Sequence, residues 1–311
     1  MRVLITGATG LLGHAVAHAL AERGHEVTAL SRTGSDVPDA AKTHLAGDVR
    51  STEAVRGAVA EVDAVCHLAA LVRVRDSITE PLEYWKTNVL GTLNILEALT
   101  ATATQGVPKR LVLSSTGAVY GTPARQPITE DELPAPTNPY AATKLAADMA
   151  AAHTAAASEA LGATSLRAFN IAGASAGRTD WDLTRLIPKT LAVHAGKADD
   201  LVINGEGTAV RDFVHVDDMA DAFVRALDAC VPGTWQAYNI GSGRRTTVRE
   251  VLDTAAAVTG SNVPIRHAPP AAEPPVLVAD SSKAATDLGW QPTKSDLRTI
   301  IADAWRIMSD G

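Results

Sequence analysis

Along the first half of the chain, short apolar runs alternate with longer stretches whose apolar positions recur every three or four residues. Residues 3–6 read as a buried strand, 11–23 as a helix, 26–30 as a second strand, 44–46 as a weaker third and 64–67 as a fourth. The pattern predicts a long helix over 81–100, a fifth strand over 110–114, a second long helix over 139–161 and a sixth strand over 164–168. Strand–helix alternation of this kind implies an α/β fold, a parallel sheet covered on both faces. The Ala-rich tract 141–160 is a strong helix former rather than a low-complexity segment. After Asn170 the regularity fades. Residues 173–182 are small and polar and read as a loop, 183–195 look helical, and the Pro/Ala-rich stretch 264–275 cannot be a regular helix.

The first strand runs straight into TGATGLLG, with Gly7, Gly10 and Gly13 three apart and a helix directly behind them. Glycine lets the backbone turn tightly and approach a pyrophosphate, and the helix N-terminus offers free N–H groups and a positive dipole to that anion. This predicts a nicotinamide dinucleotide site. The second strand ends at Ser31 and Arg32, where an NAD-specific site usually carries an acid for the ribose 2′-hydroxyl. A hydroxyl beside a guanidinium suits a 2′-phosphate better, so NADP is slightly favoured over NAD. Asp48, after the third strand, either accepts from the adenine amino group or belongs to a helix N-cap region.

Tyr140 and Lys144 stand four apart in PYAATK, on one helix face. A neighbouring ammonium favours phenolate, so Tyr140 is expected to have a lowered pKa and to act as a base near neutrality. Ser114, Ser115 and Thr116 close the fifth strand, at the sheet edge where open α/β sheets bind ligands. Of these, Thr116 reads as functional and Ser114 as a strand-end residue.

Taken in order, TGATGLLG, HLAALVRVRDS, NVLGTLNILEA, LSSTGAVYG, PYAATK, LRAFNIAGA, GTAVRDFVHVDDMADA, YNIGSG and ADSSKAATDLGW cover nearly the whole chain. Together they resemble the extended short-chain dehydrogenase/reductase superfamily, its NAD-dependent epimerase/dehydratase group, and within that the UDP-galactose (UDP-glucose) 4-epimerases. The resemblance implies a Rossmann-type doubly wound parallel sheet with a smaller C-terminal substrate lobe. Residues 1–170 would form the dinucleotide domain, with elements near 210–245 returning to it, and 171–210 with 246–311 the substrate-binding lobe. It implies Thr116, Tyr140 and Lys144 as the catalytic set, with Lys144 also holding the nicotinamide ribose. The dinucleotide is expected against Gly7, Gly10, Leu11, Leu12, Gly13, Ser31, Arg32, Asp48, Val49, Leu68, Ala69, Ala70, Asn88, Ser114, Tyr140 and Lys144. Thr116, Asn170, Arg185 and Arg211 are expected against a nucleotide sugar, Arg211 at its diphosphate.

Relatives that dehydrate or decarboxylate carry a carboxylate just after the threonine, because they move a second proton. Here Gly117 and Ala118 stand there instead. The expected reaction is therefore 4-epimerisation of a nucleotide sugar by transient oxidation at C4, with an NADPH-dependent 4-ketoreductase or dehydrogenase as the alternative. Two further positions depart from the family pattern. Pro269 and Pro270 fall near the place of a diphosphate-binding arginine, for which Arg185 or Arg266 would have to compensate, and Val72 replaces a lysine. Leu277 stands where the family tunes room beside the sugar's C2.

Composition removes other classes. The chain has 311 residues, 46% of them apolar, ample for a large core. Its net charge of -7 and the absence of any Lys/Arg run argue against a nucleic-acid partner. Cys66 and Cys230 have no metal spacing and read as reduced, buried thiols. His67 reads as structural, and His215, Asp217 and Asp218 as helix-capping residues rather than metal ligands. The opening MRVLITGATG lacks the features of a signal peptide, and no apolar stretch spans a bilayer, so a cytoplasmic protein with no membrane partner is expected. The resemblance also implies a homodimer joined through the two long helices.

Overall fold

The computed structural model describes residues 1–104, 106–270 and 274–310. Seven parallel strands form its central sheet: β1 (Arg2–Thr6), β2 (Glu26–Ser31), β3 (Thr43–Ala46), β4 (Ala64–His67), β5 (Lys109–Thr116), β6 (Leu161–Ala168) and β7 (Trp235–Ile240). Their order is β7-β6-β5-β4-β1-β2-β3. The chain steps outward from β1 through β2 to β3, then returns to β1's other side for β4. A crevice must open beyond the carboxyl ends of β1 and β4, where the winding reverses.

The inner strands are largely buried because helices cover both faces, while the edge strand β3 is partly exposed. On one face lie α1 (Leu11–Glu22) and α6 (Val216–Ala229), packing Val16, Leu20, Phe223 and Leu227 into one core. On the other lie α2 (Thr52–Val59), α3 (Gly91–Thr102) and α4 (Pro139–Ala156), which bury Val55, Ile95, Leu99, Ala147 and Ala151. A third core gathers α5 (Leu186–His194), α7 (Val248–Thr259) and α8 (Leu297–Asp310) around Leu191, Val251 and Ile301. This core roofs the crevice.

Four boundaries differ from the sequence expectation. The helix over 81–100 is continuous only in outline: Trp85–Leu90 is a π-helical stretch between Pro81–Tyr84 and α3. The bulge turns the buried amide of Asn88 inward, and such bulges concentrate at functional sites. The helix over 139–161 stops at Ala156, because Leu161 and Gly162 are already paired with Lys109 and Arg110 in the sheet. High alanine propensity gave no stop signal there, and strand pairing overrode it. The third difference is a small hairpin, Ala174–Ser175 with Arg178–Thr179, inside the expected loop. Its turn places Ala176 (φ 48) and Gly177 (φ 72) in the left-handed region, as a type I′ turn requires. Alanine at such a position is uncommon, which hid the turn. Residues 265–268 of the Pro/Ala-rich stretch form a strand, and residues 271–273 of it lie outside the described residues.

Candidate active site

A cleft of about 1430 Å³ runs from the β1–α1 turn, past the ends of β4 and β5, to the underside of the third core. That is larger than a drug-sized pocket and suits two nucleotides end to end.

The glycine turn forms its floor at one end. Gly7 has φ 72, and a side chain there would meet the Ala69 backbone nitrogen at 2.7 Å. A side chain on Gly13 would stand 2.3 Å from the Gly7 carbonyl oxygen. Both positions are glycine because backbone occupies the space. Gly10 caps α1, whose first turn carries no acid, so its N–H groups and dipole face the cleft unopposed. Leu11, Leu12, Val49, Leu68, Ala69 and Ala70 line the same end. This is a cradle into which a pyrophosphate fits.

The ends of β2 and β3 differ in what they offer. Ser31 lines the cleft, but its hydroxyl donates to the Thr33 carbonyl at 2.6 Å and lies 3.0 Å from His44 Nε2. Arg32 is exposed at the rim and has no hydrogen bond or ion pair among the described residues. Asp48 binds Arg50 through both the guanidinium (2.7 Å) and the backbone N–H (2.9 Å), which holds its carboxyl below the usual range. Ser51, not Asp48, caps α2.

Thr116 and Tyr140 both line the cleft, and Lys144 follows Tyr140 by one helical turn. Asn138 caps α4 by accepting from the Ala141 N–H, which starts the helix one turn before Lys144. Tyr140 lines the cleft and hydrogen-bonds to Thr116. Lys144 lies beneath, only 4% exposed, and donates to the Ser114 carbonyl oxygen at 2.8 Å. Burial pulls its pKa down to about 8. The phenol itself departs from expectation. Burial raises its pKa, and this outweighs the Thr116 hydrogen bond and the Arg185 charge that act the other way. The Lys144 ammonium spends its hydrogen bond on the Ser114 carbonyl.

Asn88 sits behind the cleft wall. Its amide donates to the Leu71 carbonyl (3.0 Å) and Thr143 Oγ1 (3.0 Å) and accepts from the Leu71 N–H (2.8 Å). It shapes the loop after β4 rather than facing the cleft. On the opposite wall, Asn170 lines the cleft and donates its amide N–H to the Asp212 carbonyl at 3.0 Å. Arg185 lines the cleft and pairs with Asp180 at 3.0 Å. Arg211 also lines it, with its guanidinium donating to the carbonyls of Val210 and Pro274. Arg266 is turned away to Asp200. Gly117 is pressed by the Phe169 ring: a Cβ there would lie 2.9 Å from it, so a side chain at this position would have to displace the ring.

The remaining sequence assignments find places too. His67 is buried, bonded to Thr6 Oγ1 at 2.7 Å, and kept neutral by burial that lowers its pKa to about 3. His215 caps α6 through the Asp217 N–H, and Asp218 receives Thr293, Lys294 and Ser295. Among the described residues no group of His, Cys, Asp and Glu could hold a metal ion, and no helix is long and apolar enough to cross a membrane. Sequence reading missed the Arg73–Asp182 ion pair (2.9 Å), which joins the loop after β4 to the loop before α5. It also missed Asp212, whose carboxylate gathers the Ser242, Gly243 and Ala279 N–H groups. Nothing in the local sequence pairs these residues.

Known proteins share this architecture. Residues 3–241 match the NAD dependent epimerase/dehydratase family. The chain is 41% identical to a UDP-glucose 4-epimerase of Corynebacterium glutamicum, over 99% of this chain and 96% of the relative. It is 39% identical to one from Streptomyces lividans, over 98% and 95%. The structure of UDP-glucose 4-epimerase from Brucella ovis in complex with NAD superposes with a TM-score of 0.90 at 33% identity, covering 99% of this chain and 98% of that one. With the glycine cradle, the Thr–Tyr–Lys cluster and these matches in agreement, the chain belongs to the NAD dependent epimerase/dehydratase family.

Proposed function

We propose that the protein is a nucleotide-sugar 4-epimerase of the UDP-glucose/UDP-galactose type. The observation that carries the reading is the meeting of Thr116, Tyr140 and Lys144 at the carboxyl end of β5, beside the cleft that the glycine cradle floors. Full-length identity to UDP-glucose 4-epimerases supports the substrate class. Gly117 and Ala118, which follow Thr116, carry no carboxylate, and this speaks against dehydration.

Gly7, Gly10, Gly13, Leu11 and Leu12 would hold the dinucleotide's pyrophosphate, and Lys144 and Tyr140 its nicotinamide end. Bound in its oxidised form it supplies a hydride acceptor and a positive charge beside the phenol. Tyr140 takes the proton of the sugar's 4-hydroxyl and later returns it. Thr116 steadies the same oxygen with a hydrogen bond, and also holds the phenol in place. Burial raises the pKa of the phenol alone, so its action as a base depends on the positive charges gathered when the site is filled. Arg185 and Arg211 face the sugar nucleotide's anionic part, and Asn170 its sugar. The lobe of residues 171–210 and 246–311 closes over the substrate, while 1–170 and the returning segment near 210–245 hold the dinucleotide.

We take NAD as the cofactor, since the Brucella ovis relative was solved in complex with it and since Ser31 spends its hydroxyl on Thr33. Arg32 leaves room for NADP, and this favours a second reading as an NADPH-dependent 4-ketoreductase. A single experiment separates them. Purified protein is given UDP-galactose without added cofactor. Interconversion with UDP-glucose and no net change in reduced-nicotinamide absorbance supports the epimerase; turnover only with NADPH and a 4-keto sugar supports the reductase. A cytoplasmic homodimer completes the proposal, its interface formed by the exposed apolar stripe Ile78, Leu82, Trp85 and Leu93 with Met149 of α4.

A further inference from the structure

Tyr140 and Lys144 are followed, four residues on, by Asp148, so all three lie on one face of α4. Asp148 is 1% exposed, and the reaction just described makes no use of it. Its Oδ2 accepts from Ser115 Oγ at 3.0 Å and from Arg167 Nε at 3.1 Å. Ser115 follows Ser114, whose carbonyl receives the Lys144 ammonium, and Arg167 is Ser115's partner in the β5–β6 register. Arg167 is fixed on its far side: Nη1 donates to the Tyr120 hydroxyl at 2.8 Å, and the guanidinium stacks 5.1 Å from that ring. Tyr120 in turn donates to Asn239 Oδ1 at 2.8 Å.

We propose that Asp148 is a positioning residue for the reaction, holding the Lys144 ammonium in its charged form on the Ser114 carbonyl, beneath Tyr140. The inference rests on the reading of Lys144 as part of the catalytic set. Lys144 is 4% exposed, and burial favours its neutral form. The groups that face it are few. Tyr140 and Asp148 stand on its own helix, the Ser114 carbonyl on β5, and His67 on β4. Arg167, on β6, is bonded to the Asp148 carboxylate at 3.1 Å. His67 is neutral, so Asp148 brings the negative charge that opposes the cost of burying the ammonium. Burial pushes the Asp148 carboxyl's pKa up, and the Arg167 guanidinium at 3.1 Å and the Ser115 hydroxyl at 3.0 Å work against that, favouring the carboxylate.

A purely structural role would not need this pair. A buried ion pair is weak evidence for stability, and an apolar pair of similar volume often serves as well. What an apolar pair cannot do is oppose desolvation of the neighbouring lysine. Asp148 also bonds the residue after Ser114, so it fixes the carbonyl that Lys144 needs.

The test is the pH profile of UDP-galactose conversion to UDP-glucose, with saturating NAD, in wild type, Asp148→Asn and Asp148→Glu. In Asp148→Asn the alkaline loss of kcat moves toward neutrality, and the ratio of kcat at pH 8.5 to kcat at pH 6.5 falls about tenfold, the effect of roughly one pKa unit. KM for UDP-galactose stays within about twofold, because Asp148 does not face the cleft. Asp148→Glu keeps the charge and restores the wild-type ratio. Should Asp148→Asn fail to fold, Asp148→Asn with Arg167→Met leaves no lone buried charge, and the same fall in ratio is expected. An unchanged ratio in the folded variant overturns the inference. Lys144→Met separates this from failure of the catalytic reading: if that variant keeps full activity, the reading of Lys144 is wrong, whereas an inactive Lys144→Met with an unshifted Asp148→Asn profile refutes the role of Asp148 alone.

Discussion

The Lys144 ammonium and the Ser114 carbonyl oxygen are 2.8 Å apart, joining α4 to the carboxyl end of β5 inside the protein. Burial lowers the lysine's pKa from 10.5 to about 8. Between those values the unfolded chain binds more protons than the folded one, so stability gained from this group rises with pH across that window. Activity runs the other way, because the ammonium is lost as pH rises through about 8. Lys144→Met should therefore lower kcat by about 100-fold or more, while the thermal midpoint at pH 7 stays level or rises and its increase toward pH 10 flattens. Steady-state rates and melting curves over pH check both halves.

The pieces legible in the sequence were those whose chemistry is local. A glycine turn between strand and helix declares itself because all of its atoms lie within eight residues, and Tyr140 and Lys144 because helical spacing fixes their shared face. Thr116 was legible through its place at a strand end. What stayed hidden depends on partners far along the chain. Ser31 reads as free until Thr33 and His44 are seen to hold it. Asn88 reads as a cofactor contact, yet a π turn aims it at Leu71 and Thr143. Helical spacing sets the Lys144 charge near the phenol, but burial, which no spacing reveals, decides the direction of its pKa.

Arg185 contributes positive charge to the Tyr140 phenol and is itself paired with Asp180. Removing that charge leaves the phenolate less favoured and raises the pH at which the base becomes available. Arg185→Gln should move the acid limb of kcat/KM to higher pH and raise KM for UDP-galactose about tenfold, the loss of one charge-assisted contact. A KM increase with an unmoved limb would confine Arg185 to substrate binding.

Gly13 admits no side chain, because a Cβ would stand 2.3 Å from the Gly7 carbonyl oxygen and 2.7 Å from the Ala8 Cα. Both obstacles are backbone, so relief requires α1 to move away from the turn that its N-terminus must serve. Gly13→Ala should cost about 1–3 kcal/mol of stability and weaken NAD binding by about tenfold or more. Calorimetric titration with NAD, beside a thermal melt, measures both. Gly57, whose Cβ meets nothing within 4 Å, supplies the control: Gly57→Ala should leave NAD affinity unchanged.

Arg32 stands at the cleft rim without a partner among the described residues, beside a serine whose hydroxyl is already committed. A 2′-phosphate would meet this guanidinium, whereas a 2′-hydroxyl gains little from it. Arg32→Ala should weaken NADPH binding about tenfold and leave NADH within twofold, read by nicotinamide fluorescence titration. Equal losses for both cofactors would mean that Arg32 supports the loop rather than the phosphate.

The apolar stripe beside the sheet is too exposed for an ordinary solvated surface. Leu82 is 70% exposed, Met149 54% and Leu93 46%. They lie on segments that pack together, 81–102 and α4, so the stripe is continuous across two helices. A second copy of the same stripe would bury it by twofold symmetry, each helix pair meeting its equivalent. Leu82→Lys with Met149→Lys places like charges at the centre of such a contact while touching nothing in the cleft. Sedimentation should report a dimer for the wild type and a monomer for the double variant at micromolar concentration. A wild type that sediments as a monomer would remove the interface altogether, and an active monomeric variant would show that each cleft is complete within one chain.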